Sequence, residues 1–86
     1  MFCAGADLKE RKGMTHPEVL LFLNHMNRTF NAFEALPCPT ISIIDGAALG
    51  GGLELSLCSD IRIATSNAML GLTETSLAII PGAGGT

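Results

Sequence analysis

Thr40-Ile-Ser-Ile-Ile-Asp-Gly-Ala-Ala-Leu-Gly-Gly-Gly-Leu-Glu54 is the stretch whose reading decides the fold. Residues 40–44 are short, rich in β-branched side chains and bounded by Pro39 and Gly46, which predicts a buried strand. Residues 45–50 read as a turn, and a helix is expected over residues 51–58. Glycines at the start of that helix leave its backbone N–H groups bare, so an oxygen that gains negative charge could approach them closely. Taken alone, the turn also reads as tight packing between strand and helix. The nucleotide-binding patterns do not fit: G-x-G-x-x-G would need glycine where Leu55 stands, and the P-loop would need lysine at Gly52.

The flanking sequence extends this into an alternating pattern. Thr15-His-Pro-Glu18 has the form of a helix start, with Thr15 as cap, Pro17 in the first turn and Glu18 three residues past the cap. Val19, Phe22, Met26, Phe30 and Phe33 then recur at helical steps along one face, and Pro37 and Pro39 end the element. Residues 2–6 read as a strand end running into a turn at Gly5-Ala6-Asp7. Residues 60–64 alternate as a second strand, and residues 68–71 form a third, short one. Thr73 is placed to open a brief helical turn carrying Glu74 and ending before Pro81-Gly82. Such an order predicts an α/β fold with largely parallel pairing.

Bulk composition narrows the function classes. The chain has 86 residues, 48% of them apolar and 15% charged, which excludes intrinsic disorder. So apolar a short chain predicts surfaces that other chain covers, and its ends read as the interior of a larger domain. A net charge of -3 argues against nucleic acid as a partner, because a polyanion needs a basic face. Three cysteines with no C-x-x-C pair fit neither a disulfide framework nor a zinc site, and Cys58 reads as a small core residue. His16 and His25 lack the spacing of a helical metal pair, so no metal is expected. Met14, Met26, Met69 and the phenylalanines read as core, and no apolar run is long enough to span a bilayer.

Two carboxylates stand out. Glu54 falls in the first turn of the glycine-led helix among Leu53, Leu55 and Leu57, where a purely structural role is a charge matched to the helix dipole. Glu74 lies between Thr73 and Thr75, where its structural role is an exposed loop charge. A helix, a strand and a turn separate them, enough chain to return to the same place. A carboxylate pair beside bare amides is an acid/base arrangement with an oxyanion site.

The runs Phe2-Cys-Ala-Gly-Ala-Asp-Leu-Lys-Glu10, Ile44-Asp-Gly-Ala-Ala-Leu-Gly-Gly-Gly-Leu-Glu-Leu55, Cys58-Ser-Asp-Ile-Arg62 and Gly71-Leu-Thr-Glu74, with Ile80-Pro-Gly-Ala-Gly-Gly-Thr86, resemble the enoyl-CoA hydratase/isomerase (crotonase) family. The first run resembles most the mitochondrial branch that contains methylglutaconyl-CoA hydratases. The resemblance implies a crotonase-like spiral of ββα units, of which residues 1–86 supply the central part. It implies an acyl-CoA thioester substrate, no separate cofactor (coenzyme A being part of the substrate), a mitochondrial setting and trimers paired into hexamers. It also implies roles: Glu54 and Glu74 as the catalytic pair, the amides of Ala6 and Gly51 as the oxyanion hole, and the amide of Gly82 as a water-positioning group. Ala4, Gly5, Asp7, Leu8 and Lys9 would border the coenzyme A. Because relatives that only shift a double bond lack the first glutamate, the resemblance favours a hydratase over an isomerase. A non-catalytic truncated product is the contrasting expectation.

Overall fold

The computed structural model describes residues 1–74. Two helices come first, α1 (Leu8–Lys12) and α2 (His16–Glu34). They are followed by β1 (Ile41–Ile44), β2 (Ala47–Leu49), α3 (Gly51–Leu57), β3 (Ile61–Ala64) and β4 (Met69–Gly71). The start of α2 follows from its first residues. Thr15 Oγ1 accepts the Glu18 amide at 3.4 Å and donates to Glu18 Oε1 at 2.9 Å, while Pro17 occupies the first turn. The apolar stripe is also where periodicity puts it: Val19, Phe22, Met26, Phe30 and Phe33 are half-buried, whereas Asn24, Arg28 and Asn31 are exposed. The helix ends at Glu34, before Pro37. Helix α1 adds an element to those expected. Asp7 Oδ1 accepts the Lys9 amide at 2.9 Å and the Glu10 amide at 3.4 Å, which winds the stretch holding Lys9, Arg11 and Lys12 into a short helix.

Pairing is parallel throughout, in two separate ladders. Strand β1 pairs with β3 from Ile41↔Ile61 to Ile44↔Ala64, and β2 pairs with β4 from Ala47↔Met69 to Leu49↔Gly71. Cys3 adds a parallel bridge to Ala48 on the other edge of β2, with Leu49 N donating to the Cys3 carbonyl at 3.0 Å. Residues 47–49 were expected inside a turn; they are extended because both edges of β2 find partners. Each strand pair in sequence is thus followed by a helical element: β1–β2–α3, then β3–β4 and the short turn at residues 73–74. The β1–β3 ladder is clamped by side chains at both ends. Thr40 N donates to Asp60 Oδ2 at 2.9 Å and Asp60 N donates to Thr40 Oγ1 at 3.1 Å, and at the far end Thr65 Oγ1 donates to Asp45 Oδ1 at 2.9 Å.

The core is small and lies where the first ladder hands over to the second, with Ile44 and Ala48 fully buried. This corrects two expectations. The strand expected to be buried is so only at Ile44; Ile41 and Ile43 are 57% and 66% exposed, because β1 has one neighbouring strand and nothing covers that face among the described residues. Met69, read as core, is 64% exposed for the same reason.

The tightest packing is between α3 and the segment at Cys3. A Cβ built on Gly52 would overlap the Cys3 carbonyl and come within 2.8 Å of its Cβ. Backbone cannot yield as a flexible side chain can, so any side chain here must separate α3 from the first strand segment. Gly52→Ala is therefore expected to destabilise the natural protein carrying this chain by about 3 kcal/mol, read as a lowered midpoint in urea denaturation.

Candidate functional site

Three pieces of backbone meet at the first turn of α3. The Gly50 amide donates to the Gly71 carbonyl at 2.9 Å, which fastens the end of β2 to the end of β4. Gly50 takes φ 53°, ψ -124°, a conformation that a side chain would strain. The segment at Gly5 crosses on the other side. Gly5 has φ 95°, and a Cβ built on it would lie 3.0 Å from the Leu49 carbonyl oxygen and 3.1 Å from the Gly51 nitrogen. A Cβ on Gly51 would in turn lie 3.8 Å from the Ala6 nitrogen. The amides of Ala6 and Gly51, paired by the family resemblance, therefore belong to neighbouring backbone segments. Neither donates a hydrogen bond among the described residues.

Glu54 and Glu74 sit on different elements, and the carboxylate of Glu74 is the one that lies against Gly50. Glu54 is carried on α3 and is 2% exposed; its amide donates to the Gly50 carbonyl at 3.1 Å. Glu74 comes from the turn after β4. Its Oε2 and Oε1 lie 3.3 and 3.6 Å from where a Cβ on Gly50 would stand, so the missing side chain at Gly50 makes room for this carboxylate. Glu74 Oε1 is buried with no hydrogen-bond partner. A buried, unsatisfied oxygen of this kind costs about 1–3 kcal/mol, so the position is not one that stability alone favours. The exposed loop charge that is the structural reading of Glu74 is thereby corrected.

The remaining sequence candidates divide. Gly5 is half-buried at the crossing, while Ala4, Asp7, Leu8 and Lys9 are exposed and run from the crossing along α1 to the surface. Asp7 is committed to capping α1. Gly82 lies outside the described residues, as does the rest of the helical turn expected after Glu74. His16 and His25 are exposed on α2, and among the described residues no cluster of His, Cys, Asp or Glu could hold a metal. None of the three cysteines forms a disulfide. Among the described residues no helix is long and apolar enough to cross a membrane.

One part of the site escaped the sequence reading. A cavity of about 220 Å³ opens beside Ala6 and Gly51, walled by Phe22, Met26 and Phe30 of α2, Leu55 of α3 and Cys3. Helical periodicity identified the α2 stripe, but it assigned these side chains to a core. Which surface the stripe faces depends on the crossing at Gly5, a long-range contact with no local signal. The arrangement is an apolar recess bordered by Ala6 and Gly51, whose amides are bare.

Comparison with known proteins gives a consistent result. The family model described as enoyl-CoA hydratase/isomerase matches residues 1–86. A methylglutaconyl-CoA hydratase 1, mitochondrial, of Pyricularia oryzae is 62% identical over 85 residues, which are 99% of this chain and 24% of that protein. The methylglutaconyl-CoA hydratase, mitochondrial, of Homo sapiens is 59% identical over all of this chain and 25% of its own length. The crystal structure of an enoyl-CoA hydratase from Bacillus anthracis superposes with a TM-score of 0.91 at 60% identity, covering 98% of this chain and 33% of that one. The chain thus spans about a quarter to a third of the length of these relatives, and its fold is the one they share.

Cys58, the residue that ends α3, offers a direct check of the local electrostatics. Burial pushes its thiol pKa up, and the charges of Glu34 and Glu54 add to the shift. The thiol also donates to the Glu54 carbonyl at 3.4 Å. A raised folded value means that the folded state holds this proton more tightly than the unfolded one. Its contribution to stability is therefore complete below the ordinary thiol range and is lost as pH rises through the folded value. Alkylation at pH about 8 is expected to label exposed Cys38 at least about tenfold faster than Cys58, measured by mass spectrometry of tryptic peptides, and Cys58→Ser is expected to flatten the loss of stability above the thiol range.

Proposed function

We propose, from the premise that this chain belongs to the enoyl-CoA hydratase/isomerase family, that it is the central part of a hydratase that adds water across the double bond of a 2-enoyl-CoA thioester. The observation that carries this reading is Glu74 Oε1, buried and unpartnered beside the turn that bears the Gly51 amide. Hydration needs an acid/base group close to the reacting carbons and a polariser at the thioester carbonyl, and the two needs meet at Gly50-Gly51.

The chemistry runs as follows. The thioester oxygen accepts from the amides of Ala6 and Gly51, so that charge displaced from the double bond collects on an oxygen with fixed donors. One such donor is worth about 3–4 kcal/mol in the transition state. Glu54 takes a proton from water, whose oxygen bonds to the β-carbon, and Glu74 delivers a proton to the α-carbon. The net change is addition of one water, with no oxidant and no metal consumed. The amide of Gly82 is proposed to hold the water. The acyl group rests against Phe22, Met26 and Phe30, whose apolar surface excludes other water and strengthens each electrostatic contact. The exposed run from Ala4 to Lys9 faces the coenzyme A portion, and no cofactor beyond it is required.

The relatives named methylglutaconyl-CoA hydratase favour a short, branched acyl group, and their printed names favour a mitochondrial setting, although a Bacillus subtilis relative is 60% identical as well. Trimers paired into hexamers are the proposed assembly. In the natural protein carrying this chain, Glu54→Gln and Glu74→Gln are each expected to lower kcat for crotonyl-CoA or 3-methylglutaconyl-CoA hydration by about a hundredfold or more, followed by loss of the conjugated-thioester absorbance. Rates within about threefold of wild type, a barrier change under about 0.7 kcal/mol, would overturn the assignment. Turnover of 3-enoyl thioesters without net hydration would point to the isomerase instead.

A further inference from the structure

Arg62 stands on β3, outside the cavity, and nothing in the reaction above uses it. Its side chain nevertheless ends on α3. Arg62 Nη1 donates to the Ser59 carbonyl at 2.7 Å, to the Leu57 carbonyl at 3.3 Å and to the Ser56 carbonyl at 3.4 Å. These are carbonyls at and just past the end of a helix, where intrahelical donors run out. Local groups serve the others. The Cys58 amide donates to Leu55, and the Ser59 hydroxyl donates to Ser56 at 2.6 Å. Among the described residues, the carbonyls of Leu57 and Ser59 have Arg62 as their donor, and no carboxylate pairs with its guanidinium.

A helix of seven residues does not hold its own direction in water; contacts at its two ends do. At the front of α3 these are the Gly50–Gly71 hydrogen bond and the contact of Gly52 with Cys3. At the back it is Arg62, whose β3 position opposite Ser42 belongs to the β1–β3 ladder, whereas α3 itself packs on β2. The guanidinium therefore joins the ladder that does not bear the site to the helix that does. A positive charge there also suits the helix dipole, and one end of the guanidinium, Nη1, reaches all three carbonyls.

We propose that Arg62 is a positioning residue for the hydration reaction, holding α3 at the angle that aims the Gly51 amide and the Glu54 carboxylate. The inference rests on the roles given to those two groups above. Loosening the back of α3 swings its front turn and weakens polarisation of the bound carbonyl, while the apolar walls contributed by α2 still bind substrate.

The test uses Arg62→Met and Arg62→Lys in the natural protein carrying this chain. Both kcat and KM are measured for crotonyl-CoA, and the infrared stretch of a bound, carbon-13-labelled 2-enoyl thioester carbonyl is recorded. Arg62→Met is expected to lower kcat about tenfold with KM within about twofold, and to move the carbonyl stretch back toward its value in water; Arg62→Lys is expected to fall between. Partial unfolding would weaken the bound signal without moving its frequency, so a merely structural role is separable. Variants that bind with wild-type kcat and wild-type carbonyl frequency overturn the proposal, and so does failure of both to fold. A wild-type protein without hydratase activity removes the functional reading and this inference together, whereas an active wild type beside an unaffected Arg62→Met removes the inference alone.

Discussion

Contact between backbones, without side chains between them, is the constraint on which this structure depends. Gly52 lies against the Cys3 carbonyl, Gly5 against the Leu49 carbonyl and the Gly51 nitrogen, and Gly50 against the Glu74 carboxylate. A Cβ would overlap its neighbour at Gly52, while at Gly5 and Gly50 it would be crowded on a backbone of positive φ, and together these contacts bring three segments distant in sequence to one turn. Glycine is costly in a helix or strand, by roughly 0.5–1 kcal/mol relative to alanine. Three in succession at the start of α3 are a local loss that these close contacts offset, and they leave amides where a substrate oxygen can reach them.

The same reasoning explains what could be read in the sequence. Helix α2 was legible from Thr15 to Glu34 because its signals are local: a capping threonine, a proline in the first turn, an apolar stripe and a terminating proline. The strand at residues 41–44 was legible from β-branched composition and the one at residues 61–64 from alternation. Strand β2 was not, since Ala47-Ala-Leu49 has no β signature and is extended only because Cys3 and β4 pair with its two edges. Helix α1 was not read from the sequence; the side chain of Asp7, accepting the amides of Lys9 and Glu10, starts it. The degree of burial of β1 also lay beyond composition, because it depends on which layers lie over the strand.

For the site, the glycines and both glutamates were visible as residue types, and the family resemblance attached roles to them. The approach of Glu74 to Gly50 was not visible, since it depends on how β4 pairs with β2. Nor was the apolar cavity, whose wall reads as ordinary core. Arg62 closed one of the runs that carry the family resemblance but had no role attached to it; an arginine within a strand is normally a solvated face, and the end of α3 above it gives it work.

The two ladders carry a further consequence for how this segment can change through descent. Thr40 and Asp60 lie twenty residues apart and clasp each other, as do Asp45 and Thr65. The chain between them is thus metered, one circuit of the coil per fixed count. Losing or gaining one residue inside a strand would turn every following side chain to the opposite face, carrying Glu74 away from Gly50. Length variation among descendants should therefore collect outside the span from Gly50 to Glu74, whose interval should stay constant even where the letters in it drift.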